Sequence, residues 1–296
     1  MSGSVRVFHV DAFTSERFCG NPAGVVLDAD ALTDTQMQAL ARELNCGDTI
    51  FLLQPNGADH DLRARFFTPR RETGFVGHAT LAAHAVLAGL AHGSSARQKQ
   101  SSGIVEVQTL RRDPPRIAIR QPPPPLGRTP EPGELDAVLE ALGLARAELD
   151  PRCPPRFAGP GTRLLLGLSA QEALARVRPD LRRLAALSQT LQAPGYFLFA
   201  LQGAPTELSS QARMFCPALG IDEDPVSGNA HAMLGVYLLQ QGLLSPAADG
   251  FTGTQGQHLG RPGRVDVVFE RGDGTVQAVS IAGEAVIVFA TRLDFS

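Results

Sequence analysis

Three side chains of this 296-residue chain have the chemistry to hold or move a proton near the start of a helix: Asp48, His78 and Asp224. Asp48 lies in Cys46-Gly47-Asp48-Thr49, between a predicted helix over 34–44 and the apolar strand Ile50-Phe51-Leu52-Leu53. Desolvation beside such a strand favours the protonated acid and so brings a carboxylate toward general-base use near neutrality. A surface turn aspartate is the plain alternative. His78 opens the helix Gly77-His78-Ala79-Thr80-Leu81. Unpaired N–H groups and the helix dipole make that end positive, which keeps an imidazole neutral and fit to donate a hydrogen bond or relay a proton. A capping or core histidine is the other reading. Asp224 is followed by Pro225, which holds it extended, so it is placed to orient an imidazole or a substrate amine. Its neighbours Asp222 and Glu223 read as solvated turn residues.

Two helix starts, at Gly77 and Gly228, share one design. A glycine there lets a ligand approach the backbone, and two such ends facing one cleft would receive a small carboxylate. Tight helix packing is the alternative for each glycine taken alone. Metal binding has little support: His78 and His84 miss the i, i+4 spacing of a helical pair, and there is no HExxH or CxxC. His84 and His231 read as polar residues on buried helices. No nucleotide-binding glycine loop and no GxSxG occurs.

The elements that position these residues come in two copies. Ala64-Arg65-Phe66-Phe67-Thr68-Pro69 returns half a chain later as Ala212-Arg213-Met214-Phe215-Cys216-Pro217. Each copy leads through a polar turn into a helix of small apolar residues, Gly77–Leu90 and Gly228–Gln240. Helices apolar on every side are buried ones. Short strands around each predict an α+β fold of two duplicated domains, each a curled mixed sheet around a central hydrophobic helix. In the first half the strands fall at 5–13, 23–27, 49–53, 61–67, 104–109 and 116–120, with Thr33 or Asp34 capping the helix over 34–44. The run Pro122–Pro125 cannot continue a sheet and marks a boundary. Residues 1–120, completed by about 276–296, form one expected domain, and 121–275 the other. In the second half helices are expected over 134–142, 170–177 and 180–191. Strands are expected over 163–168, 196–201, 207–215, 265–270 and 276–290, with a polar glycine-rich loop over 246–262.

A chain of this length accommodates two domains of about 150 residues, each with its own core. Apolar residues make up 43% and charged residues 19%, the balance of a globular protein. A net charge of −3 without basic runs argues against nucleic acid or an anionic membrane as partner. The four cysteines form no framework and read as reduced thiols. No signal peptide or membrane span is read, so the expected location is cytoplasmic.

These segments resemble the phenazine-biosynthesis PhzF-like family. The opening Val10-Asp11-Ala12-Phe13-Thr14, with Phe18 and Gly20-Asn21-Pro22-Ala23-Gly24, is similar to its first signature. Phe67-Thr68-Pro69 with Gly77-His78-Ala79-Thr80 is similar to its second, and Glu223-Asp224-Pro225-Val226-Ser227-Gly228-Asn229-Ala230 to its third. Gln255-Gly256, Gly260-Arg261-Pro262 and Gly283-Glu284-Ala285-Val286 match its closing pattern. The resemblance implies a diaminopimelate-epimerase-like fold and a cofactor-independent isomerase that moves a proton on a small carboxylate-bearing metabolite of the dihydro-hydroxyanthranilate type. It implies Asp48 as proton shuttle in place of the family's glutamate, with His78 and Asp224 beside it. Asn21, Gly77, Ser227, Gly228, Asn229 and Gln255 become substrate-binding positions, Asn229 replacing a serine. Asp48 keeps the charge but shortens the reach by on the order of 1.5 Å. In the epimerase branch two cysteines precede the paired helices. Val76 and Ser227 stand there, so two-thiol racemase chemistry is excluded. A racemase or dehydratase of a hydroxy- or amino acid without a thiol pair, and a binding protein on the same fold, are the competing readings. No cofactor or metal is expected, and a homodimer is compatible with the family.

Overall fold

A strand shows alternate side chains to opposite faces, and both units of this protein use that alternation to bury two layers of helix against one sheet. The computed structural model describes residues 3–159 and 163–295. Contacts divide the chain into a first unit of residues 1–121 with 280–296 and a second unit of residues 122–279.

The first unit runs β1 (Gly3–Ala12), β2 (Asn21–Leu27), α1 (Asp34–Leu44), β3 (Asp48–Leu53), β4 (Leu62–Phe67), β5 (Glu72–Thr73), α2 (Gly77–Gly89), β6 (Ser95–Gln100), β7 (Gly103–Arg112) and β8 (Pro115–Gln121). The helix α1 begins on a capping box in which Thr33 accepts from the Gln36 backbone and Gln36 reaches back. Its Met37 and Ala41 pack on Val26, Phe51 and Phe67, which share one face of the sheet. The alternate residues Val25, Ile50 and Phe66 face the other way, toward α2. That helix is touched by β1, β2, β3, β7 and β8, strands from both ends of the path, so the sheet curls around it. An almost uncharged helix is what such a position requires.

The second unit contains α3 (Pro132–Leu142), β9 (Arg156–Ala158), β10 (Arg163–Leu168), α4 (Gln171–Arg176), α5 (Leu181–Leu191), β11 (Gly195–Gln202), β12 (Ser209–Cys216), β13 (Ile221–Asp224), α6 (Gly228–Gln240), β14 (Gly250–Gln255) and β15 (Gly263–Gly272). A long strand, β16 (Thr275–Phe295), starts in this unit and ends in the first, where Ala285–Phe295 pair with β1. Tyr196, Leu198 and Ala200 of β11 join the core built by α3, α4 and α5. The intervening Phe197 and Phe199 turn to α6, edge-on to the rings of His231 at 5.2 Å and Tyr237 at 6.1 Å.

The internal pairings make the duplication explicit. β2 and β3 are parallel, as are β10 and β11. β4 lies antiparallel to β3 and parallel to β6, as β12 does to β11 and β14. β5 hairpins onto β4 as β13 hairpins onto β12. Among the described residues no helix is long and apolar enough to cross a membrane.

Several segments differ from the expectation, among them the short strands β5 and β9, which were not expected. The stretch over 246–262 is not all loop: β14 pairs with β12 and with β15. Two of its glycines, Gly250 and Gly253, are there for proximity. A Cβ on Gly253 would lie 2.1 Å from the His231 ring, and one on Gly250 would lie 2.4 Å from the Val267 carbonyl. The polar β6, Ser-Ala-Arg-Gln-Lys-Gln, carries no apolar alternation yet pairs with β4 and β7. The acidic Ile221–Asp224 is a strand as well as a turn, because a hairpin partner supplies what its own composition does not.

Candidate active site

In the first unit, the α2-facing side of the sheet carries Asp48. Ala23 and Asp48 are register partners in the parallel pair β2–β3, so Asp48 follows the inward face of Val25 and Ile50. Its side chain is 10% exposed and its Oδ2 lies 3.8 Å from Nε2 of His78, which is 11% exposed. That separation is too long for a direct hydrogen bond. Burial lowers the His78 pKa to about 4, so the pair is a carboxyl group beside a neutral imidazole and not an ion pair near neutral pH. The Nε2 atom is buried and has no hydrogen-bond partner among the described residues. A buried polar nitrogen without a partner is costly and is commonly reserved for a ligand or water. Asn21 begins β2 opposite Ala12 and is buried, two residues before Ala23 on the same face. The preceding loop is held by Asp11, whose carboxylate accepts the Phe18 N–H at 2.6 Å.

The start of α2 has no capping side chain, because its N-cap is Val76. Thr80 instead closes the first turn by donating its hydroxyl to the Val76 carbonyl at 2.9 Å. Gly77 is buried at this end, where the first backbone N–H groups have no intrahelical acceptor.

The second unit builds the corresponding helix start differently. Asp224 closes β13 opposite Met214, extended as Pro225 requires. Ser227 caps α6, its hydroxyl accepting the Ala230 N–H at 3.3 Å. The Ser227 carbonyl accepts from the His231 backbone at 3.2 Å and from its Nδ1 at 2.7 Å. Burial lowers the His231 pKa to about 4, and because a carbonyl can only accept, the neutral ring donates from Nδ1. Gly228 is buried, and the Asn229 Oδ1 is buried without a partner among the described residues. A carboxamide can turn its donor end to the same spot, so Asn229 suits a carboxylate as well as an N–H or O–H group. Gln255 does not present a free amide. Its Nε2 donates to the Asp224 carbonyl at 2.6 Å and its Oε1 accepts the Ser227 N–H at 3.1 Å.

Glu223 is a correction to the sequence reading. It is not a solvated turn residue: its two carboxylate oxygens take Nε and Nη2 of Arg213 at 2.9 and 2.8 Å. The remaining Arg213 nitrogen donates to the carbonyls of Leu174 and Val177, and the guanidinium stacks on Phe215 at 4.9 Å. The first unit repeats the device with Arg65, Glu72 and Phe67. The signal lay in the duplicated Ala-Arg motif, each copy followed by a glutamate ahead of the helix. His84 is a core residue bonded to Gln98 at 3.0 Å, with its pKa lowered to about 4 by burial. Among the described residues no cluster of three His, Cys, Asp or Glu is placed to hold a metal ion. A hollow of about 530 Å³ lined by Asp34, Gln38, Arg42, Phe67, Arg70 and Arg71 lies on the α1 side of the first sheet and shares none of these site residues.

Comparison with known proteins places this arrangement. The family described as phenazine biosynthesis-like protein, PhzC-PhzF, matches residues 10–291. An uncharacterized isomerase of Salmonella typhimurium, YddE, is 40% identical over 295 residues, covering 96% of each chain. The trans-2,3-dihydro-3-hydroxyanthranilate isomerase of Pseudomonas aeruginosa is 32% identical over 277 residues, covering 93% of this chain and 94% of that one. The crystal structure of a Bacillus anthracis PhzF-family phenazine biosynthesis protein matches with a TM-score of 0.85 at 27% identity, over 98% of this chain and 99% of that one. A hydroxyproline epimerase of Agrobacterium vitis, at 12% identity and a TM-score of 0.63 over 98% of this chain and 91% of that one, shares the fold alone. The architecture is thus the duplicated α+β fold of the diaminopimelate epimerase and proline racemase type. The chain is a member of the phenazine biosynthesis-like, PhzC-PhzF, family of isomerases.

Proposed function

We propose that this isomerase acts without a cofactor on a small carboxylate-bearing metabolite of the trans-2,3-dihydro-3-hydroxyanthranilate type, and that Asp48 is its proton carrier. The observation that carries the reading is the Asp48–His78 pair: a nearly buried carboxyl group 3.8 Å from an imidazole that burial keeps neutral. The Asp48 carboxylate takes a proton from one carbon of the substrate, leaving the electron pair in the conjugated system. The resulting carboxylic acid returns the proton to another carbon, so the substrate is isomerised and Asp48 is restored. A neutral His78 does not compete for that proton and can hydrogen-bond a polar substituent of the substrate through Nε2, in whichever tautomer the substituent demands.

Within the second unit, Asn229 and the backbone N–H groups at Gly228 are suited to a carboxylate and Asp224 to an amine or hydroxyl; within the first, the N–H groups at Gly77 are likewise suited to an anion. Asn21 borders the Asp48 side. A preorganised set of donors at helix starts stabilises an anion without reorganising during the reaction. Val76 and Ser227 occupy the two N-cap positions, so neither side offers a thiol for racemase chemistry.

The test is turnover of trans-2,3-dihydro-3-hydroxyanthranilate by the purified protein in deuterated buffer, followed by NMR. Isomerised product with deuterium at the receiving carbon supports the reading. Binding without turnover favours a binding protein, and inversion at a single carbon favours a racemase.

A further inference from the structure

We propose that Gln255 is a positioning residue that sets Asp224 and the α6 start for substrate, and not a substrate ligand itself. The inference rests on the reading above that these groups meet the substrate. Gln255 is fully buried at the end of β14, in register with Ala212, two residues before the Met214 that pairs with Asp224. Its amide spans the turn, donating to the Asp224 carbonyl at 2.6 Å and accepting the Ser227 N–H at 3.1 Å. The next residue, Gly256, has φ +93°, and a Cβ there would lie 2.9 Å from the Pro225 carbonyl and even closer to the Arg261 carbonyl. One glutamine side chain and one glycine therefore fix the backbone from Asp224 to Ser227, the span that aims the Asp224 carboxylate and the first N–H groups of α6.

The duplication provides an internal control. In the first unit the equivalent register position is Gln100, one step beyond the Arg63–Lys99 pair. Gln100 does not reach the turn before α2: it donates to Ser102 at 3.2 Å and accepts from Gln98 at 3.1 Å. The arginine–glutamate clamp, by contrast, is present in both units. Devices common to both copies hold the scaffold. Among the described residues the staple is found before α6 and not before α2, and it serves what is particular to that helix start, namely Asp224 and Asn229.

A glutamate at 255 tests this, because a protonated carboxyl reproduces the amide's donor and acceptor whereas a carboxylate opposes the Asp224 carbonyl. Burial keeps such an acid protonated to higher pH than in water. Asp224, His231, His258 and the Arg213–Glu223 pair also lie about this turn, so each variant is read against the parent at each pH. With trans-2,3-dihydro-3-hydroxyanthranilate as probe, Gln255→Glu is expected to lose about tenfold or more in kcat/KM at pH 8, chiefly through KM, and to regain most of it by pH 5.5. Gln255→Leu should be impaired at every pH, and circular dichroism should show both variants folded. A Gln255→Glu variant matching the parent throughout, or one impaired equally at both pH values, overturns the inference while leaving Asp48 as proton carrier. A parent inactive on this substrate removes the functional reading and the inference with it.

Discussion

The starts of α2 and α6 occupy matching places in two copies of one scaffold, yet they are finished in opposite ways. Before α2 the N-cap is an apolar Val76, the first turn carries His78 with an unpartnered Nε2, and a carboxyl group lies 3.8 Å away. Before α6 the cap is Ser227, the turn is stapled by Gln255, and the first turn carries Asn229. Duplication supplied two curled sheets with buried helices. The two helix starts differ, and in the reading proposed above one suits moving a proton and the other holding an anion. A mobile proton needs a carboxyl group in a poor solvent with a neutral neighbour, whereas an anchor needs fixed donors.

The sharpest way to break this contrast is to lesion one side at a time. Asp48→Asn keeps size and hydrogen bonding and is expected to lower kcat roughly a hundredfold to ten-thousandfold with KM little changed. Asn229→Ala should instead raise KM about tenfold with a smaller effect on kcat, because binding shared by ground and transition states is what it removes. If both variants moved the same kinetic constant, the division of labour would fail.

The two arginine–glutamate clamps offer a stability version of the same comparison. The Arg213–Glu223 side chains are 8% and 12% exposed, against 28% and 46% for Arg65–Glu72. Arg213→Met strands a largely buried carboxylate and two helix-end carbonyls and is expected to cost about 3–5 kcal/mol. Arg65→Met should cost about 1 kcal/mol or less, since its glutamate stays hydrated. Urea denaturation of both variants measures the difference, and equal losses would contradict the assignment.

Acid should erode both units through their buried histidines. Burial lowers His78, His84 and His231 to about 4, from the ordinary 6.5. Between those values the unfolded chain takes up protons that the folded chain refuses. The stability these neutral rings provide is therefore complete above pH 6.5 and is lost as pH falls toward 4, at up to about 1.4 kcal/mol per pH unit for each. Replacing His84 by Gln should flatten the slope of unfolding free energy by one histidine's share. A slope unchanged by that substitution would show that His84 titrates normally.

A similarly small effect is expected at the caps. Ser227→Ala should cost about 1 kcal/mol, and Val76→Ser should recover a fraction of that for α2 while placing a hydroxyl in the Asp48–His78 setting. A Val76→Ser variant more stable but slower would indicate that the missing cap serves the reaction.

Much of this was legible in the sequence, for identifiable reasons. The two buried helices announced themselves by having no polar face, and the repeated Ala-Arg motif announced the duplication. A cap at Thr33 or Asp34 and strands over 49–53 and 163–168 followed from local pattern, and the structure has the cap at Thr33 and the strands at Asp48–Leu53 and Arg163–Leu168. What was not legible depended on distant partners. Gly250 and Gly253 looked like loop residues because nothing local shows that Val267 and His231 approach them. Glu223 looked solvated because its partner Arg213 lies across a hairpin, and the bonds of Gln255, placed as a substrate-binding position by resemblance, were not legible because its acceptor and donor lie on the Asp224–Ser227 turn.

The central claim is that Asp48 carries the proton. It is tested most directly by NMR of trans-2,3-dihydro-3-hydroxyanthranilate in deuterated buffer with the parent and with Asp48→Asn, at concentrations where both are saturated. The account predicts deuterium entering the substrate skeleton with the parent and none above background with Asp48→Asn, although the variant still binds. Exchange by Asp48→Asn as fast as by the parent would contradict it and assign the proton to another group.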